Sequence, residues 1–181
     1  MMIKMTEKAT PHIPVFLCLI DEKDRVYLQR RYDTDFLNGY YEPPAGGLHE
    51  NEFPQEAACR EAREEAGVEV DPADIELFQA FLNFNPEAGP YLGLFFRTRK
   101  WSGTPSIMEP KLCDKADFFA LNQLPDKMIP QARDALENVL TAPAITLSNY
   151  ESITGRLEEQ GFNVASDVKV GERIKKNEIN P

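Results

Sequence analysis

Three glutamates within five residues, Glu61, Glu64 and Glu65, are the side chains in this 181-residue chain best placed to do chemistry. Residues 53–66 (FPQEAACREAREEA) are rich in good helix formers, and Gly67 follows where a helix would stop. Pro54 fits only a first turn, so the spacing predicts a helix that begins near Glu52 or Phe53. On it Ala57, Glu61, Glu64 and Glu65 share one face, while Ala58, Ala62 and Ala66 line a narrow face suited to close packing. The acidic face is costly. Glu64 and Glu65 fall in the last turn, where the helix dipole disfavours carboxylates. Glu61 and Glu65 are a like-charge i,i+4 pair, which costs a few tenths of a kcal/mol. Three converging carboxylates make sense if they hold a hard divalent cation, with Mg²⁺ the first choice and Mn²⁺ the alternative. An ordinary solvated helix, with Glu56–Arg60 as a surface pair, is the plainer reading of the same composition. It leaves the Gly46-Gly47 loop and Glu52 ahead of the helix without a reason.

Gly46, Glu52, Arg60, Glu61, Glu64, Glu65 and Gly67 fall on the pattern G-x5-E-x7-R-E-U-x-E-E-x-G-U, with U bulky and apolar. That is the Nudix box, and the chain resembles the Nudix hydrolases, in particular the MutT-like ones. Seven fixed residues at roughly 7% usage each would coincide by chance at about 10⁻⁸ per starting position. Ala62 departs from the pattern by being small. Residues 36–41 (FLNGYY) before Pro44-Ala45-Gly46-Gly47 resemble the family's approach to the box, and residues 119–125 (FALNQLP) resemble its W-F-x-L-x-x-L-P phrase.

The resemblance implies an α/β fold, a mixed β-sheet sandwiched between helices, over residues 11–142. It implies attack of water on one phosphorus of a nucleoside diphosphate linked to some moiety X, with charge neutralised by bound metal. Glu61, Glu64 and Glu65 would bind that metal with the Ala45 carbonyl, and Glu52 and Arg60 would brace the loop against the helix. Glu61 and Glu109 are the candidates for general base, so the expected catalytic set is Arg60, Glu61, Glu64, Glu65 and Glu109. Relatives with a similar E-P-x-x-C-x-E stretch carry an acid where this chain has Lys115. A (deoxy)nucleoside triphosphate ranks first as substrate, with ADP-ribose or another nucleoside diphosphate derivative second. A nucleotide-sensing module of the same fold without hydrolysis is the alternative of another class. It would be expected to erode box glutamates that are all present here.

The remaining elements must position that helix. Residues 13–20 form a continuous apolar run, read as a strand buried on both faces, and residues 25–31 read as its antiparallel hairpin partner. Residues 75–84 and 91–101 read as a second strand pair around a Pro/Gly loop, 116–121 as a short strand, and Pro130 as the start of a last helix. On that helix Ile129, Ala132, Leu136, Val139 and Leu140 share a face. Phe36, Tyr40, Phe81, Phe84 and Phe118 are expected near the cleft, where an aromatic pair could sandwich a purine, although most such rings are core. His12 reads as structural and His49 as a solvated loop residue.

Composition narrows the partners. A net charge of −10 argues against a nucleic-acid polymer or an anionic membrane, and the short basic run Arg97, Arg99, Lys100 is too small to reverse it. A metal-bound nucleotide remains compatible. Cys18, Cys59 and Cys113 are scattered and odd in number, which indicates neither a disulfide framework nor a zinc site. Residues 1–10 read as a lead-in without the apolar core of a signal peptide, and no run reaches the length of a membrane span, so the cytoplasm is the expected compartment. Residues 143–181 lie outside the resemblance. They begin with a candidate edge strand at 144–147 and leave three roles open: cover for the core, exchange across a homodimer, or a loose tail.

Overall fold

The structure, a computed structural model, describes residues 10–34, 36–85, 89–140, 144–147 and 158. Residues 1–9 of the expected lead-in at 1–10, residues 86–88 of the Pro/Gly loop, and the 143–181 extension apart from 144–147 and Glu158 lie outside the described residues. Among the described residues eight strands and two α-helices follow in chain order: β1 (Pro14–Leu19), β2 (Arg25–Arg31), β3 (Tyr41–Glu42), β4 (Ala45–Gly47), α1 (Pro54–Ala66), β5 (Glu76–Asn85), β6 (Gly89–Thr98), β7 (Cys113–Ala120), α2 (Pro130–Glu137) and β8 (Ala144–Leu147). A five-stranded mixed sheet has the order β4-β1-β6-β5-β8, and a three-stranded antiparallel sheet has the order β3-β2-β7. The expected mixed sheet between helices is present. The second sheet is an addition.

The second sheet corrects one pairing. β1 and β2 were expected to form a hairpin, but they share only an Ile20–Val26 bridge and the turn bond from the Asp21 N–H to the Arg25 carbonyl. β1 then runs between β4 and β6, and β2 runs between β3 and β7. The reason is burial. β1 is apolar on both faces, so it needs a layer on each side. Phe16, Cys18 and Ile20 enter one core with Val26, Leu28, Phe78, Phe81, Phe95 and the α2 residues Ala132, Ala135 and Leu136. Val15, Leu17 and Leu19 enter the other with Tyr27, Phe96 and the α1 alanines. Leu140 is a smaller correction: α2 closes at Asn138, so Leu140 lies past its end and is exposed, while Val139 remains buried.

β8 adds to the far edge of the mixed sheet, parallel to β5, so the strand expected at 144–147 is present. Within that sheet Phe81 lies directly opposite Gly93. Its ring, 3% exposed, lies over that glycine and packs on Tyr91 and Phe95 at centroid distances of 5.5 and 5.8 Å. A Cβ on Gly93 would overlap the ring. Gly93→Ala is therefore expected to lower the unfolding free energy by about 1–3 kcal/mol through overpacking, read from the midpoint of urea denaturation at unchanged m-value.

Candidate active site

Local sequence chemistry builds α1 and fixes its ends. Pro54 takes the first helical position, and the Phe53 N–H donates to Glu56 Oε2 at 2.8 Å. Gly67 closes the helix with φ of +68°, a conformation that favours glycine. Ala58, Ala62 and Ala66 are buried against β1 and its neighbours, as the small-residue face predicts, and Ala57, expected on the acidic face, is buried with them. The last carbonyls are not left to the helix dipole alone. The Ser106 N–H donates to the Ala66 carbonyl at 3.0 Å and the Met108 N–H to the Glu65 carbonyl at 3.1 Å, so the loop ahead of β7 closes over the helix end.

Arg60 ties helix and glycine loop into one unit. Its Nε donates to Glu52 Oε1 at 2.8 Å and its Nη2 to Glu52 Oε2 at 3.1 Å and to the Gly47 carbonyl at 3.0 Å. Its Nη1 donates to Glu61 Oε1 at 2.6 Å and to Glu64 Oε2 at 3.1 Å. Glu52 also accepts from the His49 N–H at 3.1 Å, while the His49 side chain stays exposed. From the same strand as Gly47, β4, the Ala45 N–H donates to Glu65 Oε2 at 2.9 Å. Glu61 is 8% exposed and lies so close to Gly46 that a Cβ there would overlap its carboxylate.

Burial dominates the electrostatics. It pushes the Glu65 carboxyl up to about 8; the Ala45 N–H pulls it back, and the charges of Glu42, Glu61 and Glu109 add to the rise. Burial also raises Glu61 against the opposing pull of Arg60. Glu52, hydrogen-bonded to Arg60, is held below the usual carboxylate range. Glu42 is a participant that the sequence reading missed: it sits on β3, pairs with Arg31 and contributes to the field at Glu65.

The NUDIX domain model matches residues 10–139. The chain belongs to the Nudix family. An 8-oxo-dGTP diphosphatase of Proteus vulgaris is 33% identical over 66 residues, which cover 36% of this chain and 58% of that protein, so the match spans less than two thirds of that relative. A MutT Nudix hydrolase from Burkholderia pseudomallei superposes with a TM-score of 0.64 at 23% identity, over 72% of this chain and 98% of that one. A UDP-X diphosphatase superposes with a TM-score of 0.58 at 19% identity, over 79% and 70%. At these identities the structural likeness establishes the Nudix fold.

The other residues singled out from the sequence are less concentrated. Among the described residues no three His, Cys, Asp or Glu side chains are placed to hold a metal ion together. Arg60 and the Ala45 N–H take the oxygens of the box glutamates instead. The residues still fit a hard divalent cation: the donors are all oxygen, and the bare Gly46 leaves the Glu61 carboxylate a cradle that a side chain would fill. Glu109 is exposed on the loop that covers the helix end, near enough for its charge to reach Glu65. Lys115 lies on β7 and lines a 370 Å³ hollow with Tyr41, Ile107 and Phe119.

The aromatic rings are mostly spoken for. Phe81 is core, and Tyr40, 2% exposed, forms a small cluster of its own with Leu37 and Phe36. Phe118 packs on Tyr27 and Trp101 beneath Arg25. Phe84 lies on β5, and its side chain is outside the described residues. The basic run is paired off, Arg97 with Glu76, Arg99 with Asp24 and Lys100 with Asp74. Among the described residues no helix is long and apolar enough to cross a membrane.

Two measurements follow from this geometry. Gly46→Ala should keep its metal-free melting temperature within a few degrees, because the overlapped atoms end a flexible side chain; cation-dependent activity should fall about 100-fold as Glu61 is displaced. The raised Glu65 carboxyl holds a proton in the folded chain that an unfolded glutamate releases near 4.5. Folding is therefore favoured below that value, and the contribution is lost as pH rises through about 8. In EDTA the melting temperature should fall between about pH 5 and 8, and Glu65→Gln should flatten that fall.

Proposed function

We propose that this chain is a divalent-cation-dependent pyrophosphohydrolase that cleaves a (deoxy)nucleoside triphosphate to the monophosphate and pyrophosphate by attack of water on phosphorus. The observation that carries the proposal is the cradle at Gly46: the glycine loop approaches the acidic face of α1 so closely that only the absence of a side chain leaves the Glu61 carboxylate its place. A structural helix needs no such approach. The likeness to the Proteus vulgaris 8-oxo-dGTP diphosphatase supports a triphosphate as the substrate class.

A divalent cation, Mg²⁺ first and Mn²⁺ second, would supply charge neutralisation on the phosphoryl oxygens and a more acidic bound water. Glu61, Glu64 and Glu65, with the Ala45 carbonyl, would hold it. Arg60 and Glu52 keep the loop in register with the helix, and the small glycines let phosphate approach the backbone. Glu61 and Glu109 are the groups available to take the proton from water, Glu61 from within the box and Glu109 from the covering loop.

The test is release of pyrophosphate or phosphate across a panel of nucleotides with Mg²⁺, wild type beside Glu65→Gln. Hydrolysis of one triphosphate, lost by at least about 100-fold in Glu65→Gln, is the expected result. Turnover confined to ADP-ribose or another nucleoside diphosphate derivative would replace the substrate class. No turnover, with nucleotide binding unchanged in Glu65→Gln, would leave a nucleotide-sensing module and refute the enzyme.

A further inference from the structure

Two buried polar groups on β2 have no hydrogen-bond partner among the described residues: the Tyr27 hydroxyl and the Gln29 side-chain N–H₂. Tyr27 is 2% exposed and Gln29 6%. Leaving a buried donor unmade is costly, and two such donors two residues apart on one strand face call for an acceptor. The face they share can be placed. Tyr27 packs in the same cluster as the α1 alanines, so this face of β2 looks toward α1. Gln29 stands directly opposite Glu42 in the β2–β3 register. Arg31, the next residue on that face, pairs with Glu42. Cys113, Glu65 and Asp117 all act electrostatically on the Tyr27 hydroxyl, Glu65 acts on the Cys113 thiol, and Glu42 acts on Glu65. Among the described residues the Ala45 N–H is the hydrogen-bond donor to Glu65, on Oε2, so a second oxygen remains to accept.

We propose that Tyr27 and Gln29 are positioning residues, whose O–H and N–H groups hold the Glu65 carboxylate, and the Glu42 carboxylate that faces Gln29, so that Glu65 is oriented for a divalent cation. This rests on the reading of α1 as the cation-binding helix. Carboxylate ligands of a metal are themselves held by hydrogen bonds from behind, and such partners set metal affinity without touching the metal. In this chain the small sheet offers two donors, on the face that looks toward α1, that the metal-free fold leaves unused. Ordinary structural polar groups would be satisfied in the fold and would stabilise it. These two are not, which separates the readings by experiment.

Mn²⁺ alone is titrated into the purified full chain and followed by the electron paramagnetic resonance of the free ion, for wild type, Tyr27→Phe, Gln29→Met and Glu65→Gln. Each β2 variant should bind Mn²⁺ about 10-fold more weakly than wild type. Melting in EDTA should be unchanged or higher in both variants, because each substitution removes a buried group without a partner. Affinity within about twofold of wild type in both variants overturns the inference. So does a loss of affinity matched by a fall in the metal-free melting temperature, which marks a packing role. A wild type that binds no better than Glu65→Gln removes α1 as the cation site, and this inference with it. Whether the wild type binds therefore tells the two failures apart.

Discussion

The cleft depends on holding several carboxylates close together where water reaches poorly. Two like charges about 4 Å apart near a protein surface repel by about 4 kcal/mol, and drier surroundings make that worse. Glu52, Glu61, Glu64 and Glu65 could not share this space without positive charge or donors among them. Arg60 supplies most of both. One guanidinium reaches Glu52, Glu61, Glu64 and the Gly47 carbonyl, so it neutralises the acidic face and ties that face to the loop. Arg suits this better than Lys would, because its planar fork presents several donors at fixed angles. Glu65, the acid that Arg60 does not reach, is the one whose carboxyl is raised to about 8. Burial raises Glu61 as well, against the pull of Arg60, so Glu65 is the larger of two raised carboxyls.

The two sheets and α1 divide the labour of containing that repulsion. The mixed sheet holds the glycine loop through β4, which pairs with β1 in the interior. The alanine face of α1 lets the helix lie close to that strand, which brings Glu61 up to Gly46. In the small sheet Gln29 faces Glu42, Glu42 pairs with Arg31, and Tyr27 packs with the α1 alanines. The loop from 102 to 112 hydrogen-bonds to the last carbonyls of the helix, which offsets the dipole where the acids lie and brings Glu109 within electrostatic reach. Each piece of backbone is used twice, once for packing and once for the site.

What could be read from the sequence follows from which interactions are local. The ends of α1 were legible because Pro54 and Gly67 act through their own backbone geometry. β1 was legible as doubly buried because its run of apolar residues leaves no polar face. Its partners were not. Pairing is a non-local choice, and an apolar run followed by a polar turn looks the same whether the next strand stays beside it or leaves for another sheet. The box spacing gave the helix-side acids and the Arg60 brace before any geometry. Glu42, Tyr27 and Gln29 were illegible because they lie within ordinary strand sequence, and only register and packing show that Gln29 faces Glu42 and Tyr27 faces α1. The aromatic expectations failed to discriminate for a related reason: Phe81 and Tyr40 have the residue types of a base-stacking pair, but the same rings are what fills a core.

Ala62 joins these threads. It is the one box position at which the chain departs from the family pattern, a small residue where bulk is usual. In the cluster it belongs to, volume comes from the sheets, from Phe96 and from the Tyr27 ring. The spacing between helix and sheets is then set by rings that reach across rather than by a side chain on the helix. A Tyr in that role differs from a Phe or Leu in one respect. The ring carries a buried hydroxyl, on which Cys113, Glu65 and Asp117 act electrostatically. Packing and electrostatics therefore meet at Tyr27, in the cluster where Ala62 is one of the small helix residues.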